Sequence, residues 1–347
     1  MRKLYIFFIS IVSFIPFINK RNDYVDVTKV IYINSIHLDF DDDTNNYIST
    51  FYILNNFNLA KADLSSNNVD TLAYTIEVNG RSLTEVFEKI NFMTNVYVHY
   101  DHLRTVILSN NFLNEKSLKA FYIYIKDNLN IFPTFYLFTS SSKASDLFNV
   151  ENFSEISAYH TFLVNPNLVK SYYLTTFLDF AKAINISNYT LTLPNLTSIK
   201  DAFKRQDKNF ISLQIDGYTF LNGFNTKTFS LKEYPILKWL YILNNSTYVI
   251  KNYDLYIKKG NTNIKKINNI ININIKINGT ITKKNDLYSE KENKNRLLEE
   301  IYIEINELYS FIINNKCDIF NINYRFGNDT NYYLDNTMKF NIKLIIS

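Results

Sequence analysis

The sequence predicts an α+β protein with mixed β-sheets and packed helices, arranged as more than one domain. Three patterns carry this. Strand-like and helix-like segments alternate through the N-terminal half, as they do in βαβ units. Short strands dominate after Phe210, and one amphipathic helix, Asn295–Asn315, precedes a last strand. At 347 residues the chain is about twice a typical single-domain length. Its 46% hydrophobic and 20% charged residues supply core material and exclude wholesale disorder.

Met1-Arg2-Lys3 is a cationic start. An apolar run from Leu4 to Ile18, broken only by Ser10, Ser13 and Pro16, leads from it to the polar stop Asn19–Asp23. That is the order of an export signal, and the run is shorter than the ~20 residues a bilayer crossing needs. No A-x-A-like site ends it, so residues 1–21 read as a signal or retained anchor, with everything after Asn19 on the exported side. Val27–Leu38 and Tyr47–Leu54 read as a hairpin around the acidic loop Asp39–Asp43. Thr71–Val78 reads as a third strand after the polar loop Asp63–Asp70. Ser82 and Glu85 form a capping-box pattern, and Leu83, Val86, Phe87 and Ile90 give the apolar face of the helix it starts. Arg104–Leu108 and Thr134–Phe138 read as strands, and Glu115–Asn128, Lys143–Phe148 and Thr175–Ala183 as helices. This order calls for at least one parallel strand pair.

Leu191–Pro194 reads as a closing strand, and the polar stretch Asn195–Asn209 as a linker. Ile211–Phe220 then turns at Asn222-Gly223, a two-residue hairpin signal. Tyr234–Leu243, with Trp239, is helical or buried; Tyr253–Lys258 is a strand and Gly260–Asn263 a loop. From Ile271 to Ile277, Ile alternates with Asn or Lys, giving a strand with one buried and one wet face. Asn285–Lys294 reads as a charged loop into the long helix, whose stripe is Ile301, Ile305, Leu308 and Ile312. Met338–Ile346 is the last strand. The expected parts are residues 22–198, an N-terminal α/β domain, 205–259, a strand-rich middle domain, and 260–347, a C-terminal α+β domain with the long helix.

Six glycines leave no room for phosphate-cradling loops or a nucleophile elbow. The single cysteine, Cys317, excludes an internal disulfide framework and a Cys-based zinc site, and reads as a buried structural thiol. A net charge of +4 without a dense basic stretch does not argue for nucleic acid. Of the four histidines, His37, His99, His102 and His160, the pair in His99-Tyr100-Asp101-His102 has metal-like spacing only on a helix. The following strand would instead send the two rings to opposite faces. Asp39, Asp41, Asp42 and Asp43 open like a calcium loop, but Thr44 stands where Gly should turn it and Thr50 where the bidentate Glu should be. Glu299 and Glu300 lie on a solvated helix face. The Asn-x-Ser/Thr triplets at Asn185, Asn188, Asn195 and Asn278 are what chance provides in an Asn-rich chain. No catalytic, cofactor-binding or metal residue is assigned.

Five motifs in order carry a family resemblance: Gly80–Val86 (GRSLTEV), Tyr100–Leu108 (YDHLRTVIL), Leu191–Pro194, Asp216–Phe220 (DGYTF) with Trp239 after it, and Leu298–Cys317 followed by Asp318-Ile319-Phe320. In this order and spacing the chain, from about Val27 to Ser347, resembles the Ger(x)C family, the exported C subunit of bacterial spore germinant receptors. The resemblance implies a three-part α+β protein on the outer face of the spore inner membrane. It also implies assembly with two integral-membrane subunits, A-type and B-type, a response to small-molecule germinants, and no catalysis. Family members usually carry a lipobox ending in Cys; here Phe17-Ile18-Asn19 occupies that neighbourhood. Attachment is therefore expected through the hydrophobic segment or through partners. The contrasting readings are an exported cell-wall-acting enzyme and a free-standing surface protein that binds a small molecule.

Overall fold

The first sheet starts from β-branched and aromatic segments, β1 (Val30–Asp41), β2 (Asn46–Leu54) and β3 (Ala73–Gly80), paired antiparallel in sequence order, with β1 and β2 buried on both faces over residues 33–38 and 49–53. The computed structural model describes residues 30–54, 73–94, 96–128, 130–148, 174–205, 208–240, 245–268, 270–284, 287–326 and 338–346. The expected loop Asp63–Asp70 and His160 lie outside them.

The capping-box helix forms as α1 (Leu83–Thr94): the Glu85 N–H donates to Ser82 Oγ at 3.1 Å, and Glu85 Oε2 takes the Arg81 N–H at 2.8 Å. A short strand that the sequence reading omits, β4 (Tyr97–His99), follows, and then β5 (Thr105–Ser109). Both lie parallel to β1, one on each half of its length. Next come α2 (Glu115–Asp127), β6 (Tyr136–Ser140), α3 (Ala144–Phe148) and α4 (Phe177–Asn185). The parallel run β1-β5-β6 extends to β7 (Thr190–Arg205), so the expected parallel pairing is present in a nine-stranded mixed sheet. Helices α1, α2 and α4 cover one face of it, and α3 covers part of the other.

Four local readings change in the fold. Asp39 and Asp41 belong to β1, not to a loop, because Phe40 between them pairs with Tyr47 and is buried in the core. The expected linker is not a loop: β7 continues through it to Arg205, antiparallel to β8 (Lys208–Asn222). Its polar residues find partners inside the sheet. Thr139 Oγ1 donates to Asn195 Oδ1 at 3.0 Å, Ser140 Oγ to the Leu196 carbonyl at 2.7 Å, and the Ser198 N–H to Ser142 Oγ at 3.1 Å. The turn to β9 (Asn225–Ser230) centres on Gly223-Phe224, one residue later than expected, with φ +58° at Gly223. Asn222 and Asn225 close it as a pair. Gly260 lies inside a strand, β11 (Tyr253–Ile267), opposite Ile277, and Asn261 and Asn263 after it lie on that strand's wet face.

The second sheet is β10 (Ser246–Ile250), β11, β12 (Ile270–Lys283) and β13 (Met338–Ile346), with β12 and β13 parallel. The crossover between them carries α5 (Glu290–Asn315) and α6 (Ile322–Phe326). Helix α5 begins five residues before its expected start because Ser289 and Glu292 make a second capping box, with the Ser289 N–H donating to Glu292 Oε2 at 2.9 Å. The stripe Ile301, Ile305, Leu308 and Ile312 seals against the alternating Ile271, Ile273, Ile275 and Ile277. Trp239, on the 3₁₀ turn Pro235–Leu240, packs against Tyr248 and donates its indole N–H to Glu304 Oε2 at 2.6 Å on α5.

β8, in the first sheet, contributes to both cores. Leu221 faces the first core, while Tyr218 and Phe220 belong to the second. The Lys227 ammonium on β9 donates to the Asn315 carbonyl at the end of α5 (2.6 Å). Asn321, at φ +54°, pairs its amide with both backbone groups of Thr190, accepting at 2.6 Å and donating at 3.0 Å.

Asp318 shows what the Asp318-Ile319-Phe320 motif does. Its buried carboxylate accepts the Ile322 and Asn323 N–H groups at 2.8 Å each and starts α6. Burial pushes its pKa up, against those donors and Arg325. Asp318→Ala leaves two buried N–H groups unpaired and is expected to cost about 2–4 kcal/mol. Asp318→Asn, which keeps an acceptor, should cost less. Urea unfolding of the two variants checks the order.

Candidate functional site

Helices α1 and α2 lie over the first sheet because each buries a single stripe: Leu83, Val86, Phe87 and Ile90 from α1, and Leu118, Phe121 and Ile125 from α2. Between these helices and β4 is a groove of about 1070 Å³. Its aromatic lining includes Phe87, which meets Tyr124 at 4.5 Å and Tyr100 at 5.6 Å between ring centroids. Its rim is apolar and open: Phe92 is 83% exposed, Tyr97 64% and Phe132 59%. A smaller recess of about 690 Å³ adjoins it, sharing Thr84, Tyr124, Asn128 and Asn130.

Polar groups line the groove beside these rings. Asn128 donates to the Tyr124 hydroxyl at 2.9 Å, and burial pushes that phenol up to about 12. The buried Tyr100 hydroxyl has no partner among the described residues, and its pKa is raised strongly by burial. Glu88, Asn91, His99 and Asp101 complete the lining. His99 Nδ1 is 3.6 Å from Asp101 Oδ2, too long for a hydrogen bond. Phenols with raised pKa values do not supply a nucleophile at neutral pH. What the arrangement offers is an aromatic binding surface with a buried hydroxyl able to pair with an incoming polar group.

The structure brings His99, Asp101 and His102 near one another and leaves the other sequence candidates elsewhere in the fold. His99 and His102 both pack on the Tyr32 ring, at 5.8 and 4.6 Å, so the opposite-face expectation fails. The reason is a turn after His99, which leaves His102 outside the strand. Among the described residues no three metal-ligating groups cluster. Asp41 spends its carboxylate on the turn, accepting from the Asp43 N–H at 3.0 Å and Thr44 Oγ1 at 2.6 Å. Ser109 donates to Asp39. Glu300 pairs with Lys251 at 2.6 Å, while Glu299 is exposed. Cys317 is buried, its thiol raised by burial and donating to the Asn315 carbonyl at 3.4 Å. Asn185 donates to Tyr122 and Ala181, Asn188 takes φ +62° in a turn, and Asn278 is paired with Lys259 in the second sheet. The groove itself had one sequence signal: Phe92 lies off the apolar stripe of its own helix.

His37 is the buried exception. It sits in β1 between β2 and β5, and its Nε2 has no partner among the described residues. Burial lowers its pKa from 6.5 to about 4, and Asp39 opposes the shift. A lowered folded-state value means the unfolded chain takes the proton first. The neutral ring's stabilisation is therefore complete above about pH 6.5 and is lost as pH falls toward 4. The loss should reach about 2 kcal/mol near pH 5. Chemical denaturation of the natural chain and of His37→Gln at about pH 7.5 and pH 5 should show a smaller acid penalty in the variant.

A family model described as the spore germination protein N-terminal domain matches residues 23–198, just over half of the chain and every residue of the groove. No curated protein matches in sequence. Among solved structures, the crystal structure of the GerBC protein aligns over 90% of this chain and 96% of that chain, at 15% identity and a TM-score of 0.46. With a matched domain that runs from residue 23 through the parallel layer of the first sheet, the chain belongs to the Ger(x)C family of spore germination proteins, the germinant-receptor C subunits.

Proposed function

We propose that this chain is the exported, non-catalytic C subunit of a spore germinant receptor, assembled with two integral-membrane subunits, A-type and B-type, at the outer face of the spore inner membrane. The family match over residues 23–198 carries the reading. The groove supports it, because an exposed aromatic rim over a concave apolar floor is the pattern of a protein-binding anchor site. Among the described residues no helix is long and apolar enough to cross a membrane. Attachment falls to the Leu4–Ile18 run or to the partner subunits. The chain's contribution is then mechanical: it holds the complex together, and the germinant pocket lies in the membrane partners.

The test is germination of a deletion strain, followed as dipicolinate release on a panel of amino acids, sugars and bile salts. Loss of the response to one class, restored by the intact gene but not by a Phe92→Ala/Tyr97→Ala/Phe132→Ala triple variant, is the expected result. Turnover of a peptidoglycan or ester substrate by the purified chain would sink the non-catalytic reading.

A further inference from the structure

Strand pairing in the second sheet gathers lysines that the sequence scatters. The registers put Lys265, Asn272 and Lys339 in one row, and Asn263, Asn274 and Asn341 in the next. Asn261, Lys276 and Lys343 form a third row, and Lys259 lies beside Asn278 in a fourth. Directly paired residues share a sheet face. The opposite face of β12 is Ile271, Ile273, Ile275 and Ile277, buried in the second core with α5. The outward face thus carries Lys259, Lys265, Lys276, Lys339 and Lys343, all exposed, with no Asp or Glu in any of these rows. Along the strands the lysines span roughly 20 Å. None of the five has an ion pair or hydrogen bond with another described residue. Lys276 and Lys343 are direct cross-strand partners, and a like-charge pair is unfavourable until an anion screens it.

The same hairpin ends in a second feature. Its tip carries Ile267, 54% exposed, between the exposed Lys266 and the turn residue Asn268 at φ +48°. An aliphatic tip collared by lysines, next to four strand rows that hold no carboxylate, has the two components of interfacial membrane binding: cations for headgroup phosphates and an apolar side chain for the acyl boundary. We propose that the β11–β13 face docks on an anionic lipid surface, with Ile267 entering the headgroup layer. This rests on the membrane-associated reading of the family and assigns the surface that makes the contact.

The experiment uses the full chain, reconstituted in vesicles, with an environment-sensitive fluorophore on Ile267→Cys in a Cys317→Ala background. Blue-shifted emission in phosphatidylglycerol-containing vesicles, absent in pure phosphatidylcholine and reversed by high salt, is expected. The shift should also be lost in Lys259→Glu/Lys276→Glu/Lys343→Glu. Salt reversal needs none of the Lys→Glu substitutions, so the outcome does not depend on how that triple variant folds. Emission unchanged on anionic vesicles, or shifted equally on both lipids, overturns the proposal. Flotation separates the two readings. A chain that floats while position 267 stays wet refutes the docking face alone, and a chain that does not float refutes the membrane reading as well.

Discussion

Phe121→Ala is expected to destabilise the chain by about 3–5 kcal/mol, the largest single effect in the first sheet's helical layer. Phe121 is 1% exposed and meets Phe112, Phe135, Phe177 and Phe180 with ring centroids 5.6–6.4 Å apart. Truncation removes the transfer free energy of the ring and leaves a cavity among neighbours that belong to three different segments. Those segments cannot all close in together, so little of the cost is recovered. Phe121→Leu keeps most of the volume and should cost less than half as much. The exposed Phe92→Ala on the groove rim should change stability by no more than about 0.5 kcal/mol. Urea unfolding of the three variants gives the order directly. If Phe121→Ala were as mild as Phe92→Ala, the aromatic cluster would not be holding α2 in place.

Gly217→Ala is expected to cost about 3 kcal/mol or more, although it adds a single methyl group. A Cβ at this position would overlap the Phe229 carbonyl oxygen and lie within 2.9 Å of that carbonyl carbon and of Ser230 Cα. These are backbone atoms of β9, which β8 must approach at the Gly217–Ser230 pair. No side chain can rotate away, so the strands themselves must part. Parting them disturbs Tyr218 and Phe220 in the second core, and also Phe229, whose ring stacks edge-on against Phe311 of α5 at 4.8 Å. The Asp216–Phe220 motif thus owes its glycine to close strand approach rather than to a turn. Loss of cooperative unfolding, or a fall in the urea midpoint that matches this cost, is the result to look for. A midpoint shift of under about 1 kcal/mol would mean that β9 shifts freely on β8.

Local features were legible because they obey local rules. The Ser82/Glu85 box, the stripe of α5, the alternation of Ile271–Ile277 and the span of β13 each follow from spacing within a few residues of chain. Three of the misreadings share one cause. Polarity along Asn195–Asn209 and Gly260–Asn263 suggested loops, yet Asn195 and Ser198 sit in a strand and find partners across the sheet, and Asn261 and Asn263 sit in a strand and face water. In the same way, Asp39 read as part of a loop because its strand neighbours were unknown.

Fold class, the order of most elements, the apolar faces and, through five ordered motifs, the family can be read from the chain's local patterns. Tertiary structure alone decided the rest. β8 serves two cores because Leu221 and its neighbours Tyr218 and Phe220 point to opposite sides of one sheet. The aromatic groove joins α1, β4 and α2, and the lysine face joins three strands separated by up to some eighty residues. Periodicity reports which side of its own element a residue occupies. Which other element lies beside it is set by strand register and helix packing, and those depend on the whole chain closing its cores at once.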